Sequence, residues 1–456
     1  MSSHIRSASK ALAALLASAV GLLPATGASA TTNMGTSHSG SRVTITFWSA
    51  MSGSHGGDLV HLAKEFNSSQ STYTVDVLYK GSYSDTLSAT IAAVRARRPP
   101  DISMVFDAGT ATMMDATGVY VPVYKLMSEY KYKFATSQFI GGAGSYYETA
   151  KDQLDSLPFN SSTPVLYSNK PLLAKAGIKA PPKTWAQLAN DVKPLVSAGA
   201  KCILSATGAY IMWTDMEQFA MWNGFPYATD NNGYDSIKPT LLLTSKPMVQ
   251  HWQFLGGLGK RGLYRWSGTT VSTVPNFTDG SCAFYEQSSA DLTEIEAGAK
   301  FPFDVTELPF VAGSPAAPQN TVVGGASLWV LSGAPQNTYK GDAAFLHFLM
   351  SPSAQDYWAT QTGYVPVTNA AFNRLNKEGY YKTHPQDLVA IRELTNKPPL
   401  PYTRGIRIGD LPQVRVDEAA AISNILSGKE SAAKALATAQ AQGNKVIAEF
   451  AAEYGG

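Results

Sequence analysis

The chain has 456 residues, 44% of them hydrophobic and 11% aromatic, which excludes a disordered protein and gives enough material for two to three packed domains. Lys and Arg number 36 against 34 Asp and Glu; loss of an N-terminal leader carrying Arg6 and Lys10 would leave the charges balanced. Such a balance argues against a nucleic-acid or anionic-membrane partner, so any anionic ligand must be captured by local groups.

His4, Arg6 and Lys10 precede the apolar run from Ala11 to Leu23, and Ala28-Ser29-Ala30 has the small-x-small pattern of a leader cleavage site. The pattern predicts a signal peptide over 1–30, cleaved after Ala30, and a secreted or periplasmic protein. No Cys near that point offers a lipid anchor, and no later apolar run reaches the length of a membrane span. Residues 31–41, rich in Thr, Ser and Gly, read as a flexible lead-in.

Val43 to Trp48 alternates like a strand, Leu59, Leu62 and Phe66 recur at helical spacing, and Tyr73 to Tyr79 is a second strand. A helix bearing Leu87, Ile91 and Val94 ends at Pro99-Pro100, and Ile102 to Phe106 gives a third strand. This β-α-β-α-β order predicts an α/β architecture with a largely parallel sheet. Ligands in such sheets bind beyond the carboxyl ends of the strands, where Tyr83 and Asp107 fall.

Pro158 to Lys170 sets Asn160, Ser161, Ser162 and Thr163 directly against Val165-Leu166-Tyr167, a short run with the character of a buried strand. Hydroxyls beside a core strand suit a small polar ligand, although such clusters also make ordinary turns. Helical character follows from Pro171, and Thr184 with Gln187 forms a capping box. A short strand around Ile203 leads into the aromatic stretch Ala209 to Trp213. Ser351-Pro352 starts a further helix, and Val414 to Tyr454 reads as helical. Cys202 and Cys282 are the only cysteines; in an oxidising compartment such a pair most often forms one disulfide, and two Cys alone make a poor metal site.

Catalytic patterns are missing: no P-loop, no G-x-S-x-G elbow, no H-E-x-x-H, and Gly141 to Ser145 lacks the spacing of a dinucleotide fingerprint. His55, Asp58 and His61 share one helix start without a further ligand at a recognisable spacing, so capping and surface roles are favoured over metal. Binding is better supported than catalysis, and neither a metal nor a cofactor is expected.

Aromatic, hydroxyl and glycine residues recur at element boundaries in Tyr79-Lys80-Gly81-Ser82-Tyr83, Gly109 to Met114, Pro158 to Pro164, Gly324-Gly325-Ala326-Ser327-Leu328-Trp329, Thr362-Gly363-Tyr364 and Asn396 to Pro401. In these segments, and in their order from about Val43 to the end, the chain resembles the glycerol-3-phosphate-binding proteins of ABC importers. The resemblance implies the type II periplasmic-binding-protein fold: two α/β lobes, 42–158 with 318–365 and 159–317 with 366–456, joined by a hinge of crossing segments. It implies a monomer that hands a glycerophosphate to the transmembrane subunits of an ABC permease.

Carried over by position, Tyr83, Ser162, Gly324, Tyr364 and Arg415 surround the glycerophosphate, with Arg415 offering a bidentate fork to the phosphate. Asp107 stands where the family has an acidic residue that accepts from glycerol hydroxyls, a methylene shorter than the Glu of many members. Ser288 and Ser289 match a serine-containing segment, leaving open which of the two faces inward. Trp213 matches a family tryptophan, whereas Tyr210 replaces a second one. Smaller residues there accompany a preference for diesters such as glycerophosphocholine, so the head group is open. An oligosaccharide-binding protein of the same fold, which would not need Arg415, and a secreted phosphodiester hydrolase are the alternative readings.

Overall fold

In the computed structural model, residues 42–270 and 272–455 are described, so the expected leader (1–30) and lead-in (31–41) lie outside the described residues. Strands β1 (Val43–Ser49), β2 (Tyr73–Tyr79) and β3 (Ile102–Phe106) run parallel, with β1 between the other two. The Leu59, Leu62 and Phe66 stripe is buried on the helix Gly53–Ser69 that crosses from β1 to β2. All five residues of β3 are buried, because β3 lies inside the sheet, between β1 and a later strand.

The sheet is largely parallel, as expected, with one reversed strand. β4 (Tyr120–Val121) and β5 (Leu157–Ser162) both pair antiparallel with that later strand. Only Thr163 separates β5 from β6 (Pro164–Asn169), which belongs to a second sheet. The polar cluster at 160–163 is therefore strand and crossing together, not a surface turn. The second sheet adds β7 (Cys202–Ala206), β8 (Tyr264–Arg265), β9 (Cys282–Ser288) and β10 (Phe303–Thr306), in the order β10-β6-β9-β7-β8. β11 (Gly324–Leu331) then returns to the first sheet, antiparallel to β3. Strand β11, which re-enters from the second sheet, is the one strand that runs against the others.

Cys202 and Cys282 face each other across the parallel pair β7–β9 and form a disulfide. The capping box at Thr184 and Gln187 is present, and Ser351 caps the helix Pro352–Thr362. The C-terminal helical region is two helices, Leu411–Leu426 and Ala432–Tyr454. They part where Gly428 takes a left-handed φ of 76° and Ser431 caps the next helix through the Lys434 amide.

We divide the lobes by sheet membership. The first crossing is Thr163, four residues beyond the expected boundary; the second spans residues 307–323, around the expected 317/318. The helix Asn369–Glu378 starts beside a bridge between Thr368 and Phe139, and Asn369 donates to the Ser137 and Phe139 carbonyls. These partners lie between β4 and β5, so this helix packs on a segment of the first lobe.

Candidate functional site

The carboxyl ends of the central strands of both sheets meet at one closed cleft. Tyr83 is the first residue of the helix Tyr83–Arg95, held by a capping box in which the Asp85 amide donates to Ser82 Oγ and the Ser82 amide donates to Asp85. Its ring stacks on Phe106 at 5.6 Å, and Asn160 Nδ2 donates to its hydroxyl at 2.6 Å. Burial, with Tyr364 and Tyr210 close by, holds the Tyr83 hydroxyl protonated well above its ordinary range. Burial likewise lifts Tyr364 to about 12. Both are neutral hydrogen-bonding groups at any physiological pH.

Ser162 at the end of β5 accepts a 2.9 Å hydrogen bond from Ser288 Oγ at the end of β9, joining the lobes. Ser289 turns aside: its amide donates to the Thr163 carbonyl of the crossing, and Ser288 is the serine that lines the cavity. Opposite them Gly324 packs against the Trp213 indole, where an added Cβ would lie 2.4 Å from the ring. Gly325 has φ of 96°, and a Cβ there would sit 1.8 Å from the Asn160 carbonyl oxygen. Neither position admits a side chain.

Trp213 opens a π-helical segment, Trp213–Gln218, clamped from below and behind. Asp215 is buried against His251 Nε2 at 3.2 Å and accepts from the Tyr264 hydroxyl at 3.2 Å. Gln218 donates to the Val322 carbonyl and accepts from its amide, tying the segment to the second crossing. This wide turn also carries Glu217, which sequence reasoning missed.

Glu217 pairs with the Arg415 fork. Arg415, on the helix Leu411–Leu426, donates from Nε and Nη2 to the two Glu217 oxygens, both at 2.7 Å. Nη2 also donates to Asp107 Oδ2 across the cleft at 2.5 Å. The bidentate face expected to grip phosphate is occupied by a carboxylate; among the described residues Nη1 has no protein partner. Buried charges are held in pairs because desolvation is otherwise too costly, and Glu217 supplies that pairing from an element 198 residues away. Burial raises Asp107 to about 6, with Arg415 opposing and Glu217 adding to the rise.

The cavity is about 100 Å³ and is lined by every expected ligand residue except Ser289: Tyr83, Asp107, Ser162, Tyr210, Trp213, Ser288, Gly324, Tyr364 and Arg415. Thr207, Gln287, Asp291 and Gly325 complete the wall and were not foreseen. No spacing rule marks them, since each reaches the cavity only through strand order. Burial, then Glu294, lifts Asp291 to about 7. A second chamber of about 260 Å³ adjoins the first, sharing Tyr83, Tyr210 and Arg415 with it. His55, Asp58 and His61 go separate ways: His55 packs on Tyr364, His61 stacks on Tyr357, and Asp58 accepts from the Tyr357 hydroxyl.

Residues 61–386 match the family described as bacterial extracellular solute-binding protein. The sn-glycerol-3-phosphate-binding periplasmic proteins UgpB of Escherichia coli strain K12 and Salmonella typhimurium strain LT2 are each 40% identical over 410 residues, covering 89% of this chain and 93% of theirs. Among solved structures, UgpB from Mycobacterium tuberculosis in complex with glycerophosphocholine superposes with a TM-score of 0.73 at 22% identity, over 89% of this chain and 98% of that one. A cyclic alpha-maltosyl-1,6-maltose binding protein from Arthrobacter globiformis gives 0.69 at 18% identity, over 89% and 99%. With its two sheets, its crossing hinge and these relatives, the chain belongs to the bacterial extracellular solute-binding proteins.

Proposed function

We propose that the protein is the substrate-binding component of an ABC importer, closing its lobes on a glycerophosphate and delivering it to the permease. The observation that carries this reading is the division of one small cavity into two chemical ends. At one end the Ser162–Ser288 pair, Tyr83, Tyr364 and the Gly324-Gly325 backbone gather neutral hydrogen-bonding groups, which suit phosphate oxygens. At the other, Asp107 and the remaining Arg415 nitrogen suit glycerol hydroxyls, with Tyr210 and Trp213 covering the carbon chain. The relatives' glycerol-3-phosphate and glycerophosphocholine supply the ligand class.

Capture follows from differential affinity: a ligand touching both lobes stabilises the closed arrangement over the open one. The protein acts outside the cytoplasm after cleavage at Ala30, as a monomer, without a cofactor and without catalysis. A sugar site is less well supported, since the relatives at 40% identity are glycerol-3-phosphate-binding proteins.

Isothermal titration of protein stripped by unfolding and refolding, with glycerol-3-phosphate, glycerophosphocholine and maltose in parallel, tests the reading. A glycerophosphate is expected to bind and maltose not. Binding of maltose alone would leave only the fold standing.

A further inference from the structure

Among the described residues Arg415 is the one cation lining the cavity; no lysine, histidine or second arginine joins it there. Its charge is more than matched. Asp107 meets it from the first lobe and Glu217 from the π-helical segment. Asp291 lines the cavity as well; Glu418, one turn further along the Arg415 helix and held by the Tyr227 hydroxyl, is raised to about 8 by burial and adds charge only in base. The remaining titratable groups facing the cavity, Tyr83, Tyr210 and Tyr364, are kept protonated by burial. The hydroxyl end thus offers hydrogen bonds but no positive charge, and at pH 8, above the values near 6 and 7 to which burial raises Asp107 and Asp291, the charge around the ligand is acidic on balance. Every further negative charge brought into this dry, closed space meets repulsion that water no longer screens.

We infer that the site selects a singly charged phosphodiester over a doubly charged phosphomonoester, and that Glu217 sets this preference by holding Arg415 neutralised. The inference rests on the glycerophosphate reading above and narrows it. A phosphomonoester loses its second proton near pH 6, whereas a diester carries one charge throughout the neutral range. The second chamber agrees independently. It lies on the other side of the shared residues Tyr83, Tyr210 and Arg415, walled by Ser82, Ser84, Phe106 and Met212, and offers room beside the site for an esterified alcohol that a monoester lacks. Glu217 does not itself line the cavity; it is a positioning residue acting through Arg415.

The test is titration at pH 8 and pH 6 with glycerol-3-phosphate and with glycerophosphoglycerol, a diester with no charge besides its phosphate. At pH 8 the diester is expected to bind at least about tenfold more tightly, and the gap to shrink at least about fivefold at pH 6, where the monoester is half monoanionic. Glu217→Gln should narrow the pH 8 gap and flatten its pH dependence. Asp291→Asn, which leaves the Arg415 contacts intact, should narrow it too, so the test survives misfolding of either variant. Equal affinity for the two ligands at pH 8, or a gap unchanged in both variants, overturns the preference while leaving the glycerophosphate reading in place. Failure of both ligands to bind the wild type at either pH overturns that reading and the inference with it.

Discussion

Arg415 holds two buried carboxylates, so its removal has two separable effects. Arg415→Ala should weaken glycerophosphate binding by about 2–5 kcal/mol, the range for truncating one partner of a buried charge pair. It should also lower stability at neutral pH by roughly 3–5 kcal/mol, because Asp107 and Glu217 are left facing each other without a cation. The sign with pH follows. Burial raises Asp107 in the folded state even with Arg415 beside it, so once the cation is gone the penalty grows as pH climbs above the unfolded value and fades in acid. Urea unfolding at pH 4.5 and 7.5 checks this, and adding Asp107→Asn and Glu217→Gln should restore stability without restoring binding. A second buried acid shows the same linkage without any ligand. Asp342, inside the helix Gln336–Leu349, has both oxygens buried without a hydrogen-bond partner among the described residues, and burial, then Asp101, raises it well above the carboxylate range. It stays protonated in the fold while the unfolded chain ionises above about pH 4. Asp342→Asn, which cannot titrate, should therefore gain stability relative to the wild type as pH rises from 4.5 to 8; a constant difference between the two would refute the assignment.

Among the elements, β9 links the disulfide at its start to the cavity at its end. Cys202 and Cys282 tie β7 to β9 at the edge remote from Ser288. The double Cys→Ser variant should lose up to about 4 kcal/mol of stability, the entropy of an 80-residue closure, while ligand affinity changes by less than about twofold. Gly325 behaves oppositely. Its Cβ would strike the Asn160 carbonyl, and Asn160 holds the Tyr83 hydroxyl, so Gly325→Ala should cost at least about tenfold in affinity through the β5–β11 pairing, read by titration. The strands, the Thr184 capping box and the Ser351 cap were legible locally, because period-2 burial and caps are decided within a few residues. The break at Gly428 and Ser431 was legible in principle, yet the alanine-rich propensity on both sides obscured it.

At the scale of the whole molecule, contacts across the cleft hold the lobes together: Arg415 to Asp107, Ser288 to Ser162, Trp213 on Gly324, and the Asp410 amide to Thr112 Oγ1 at 3.0 Å. Ligand should shift the molecule toward this closed form, so the radius of gyration from solution scattering should fall when a glycerophosphate is added to stripped protein, and fail to fall in Arg415→Ala. From the sequence by itself, the alternating strands and capping residues gave the α/β elements, and the resemblance carried by the ordered family segments implied two lobes and named most of the residues that line the cavity. Only the tertiary structure decided that Ser288 rather than Ser289 lines the cavity, that the chain passes from one sheet to the other at Thr163, and that Glu217 occupies the Arg415 fork. The reason is separation along the chain: Asp107 and Arg415 are 308 residues apart, Glu217 and Arg415 198, Ser162 and Ser288 126. No local pattern encodes such pairings; they exist because strand order and hinge crossings bring the ends of two sheets to one place.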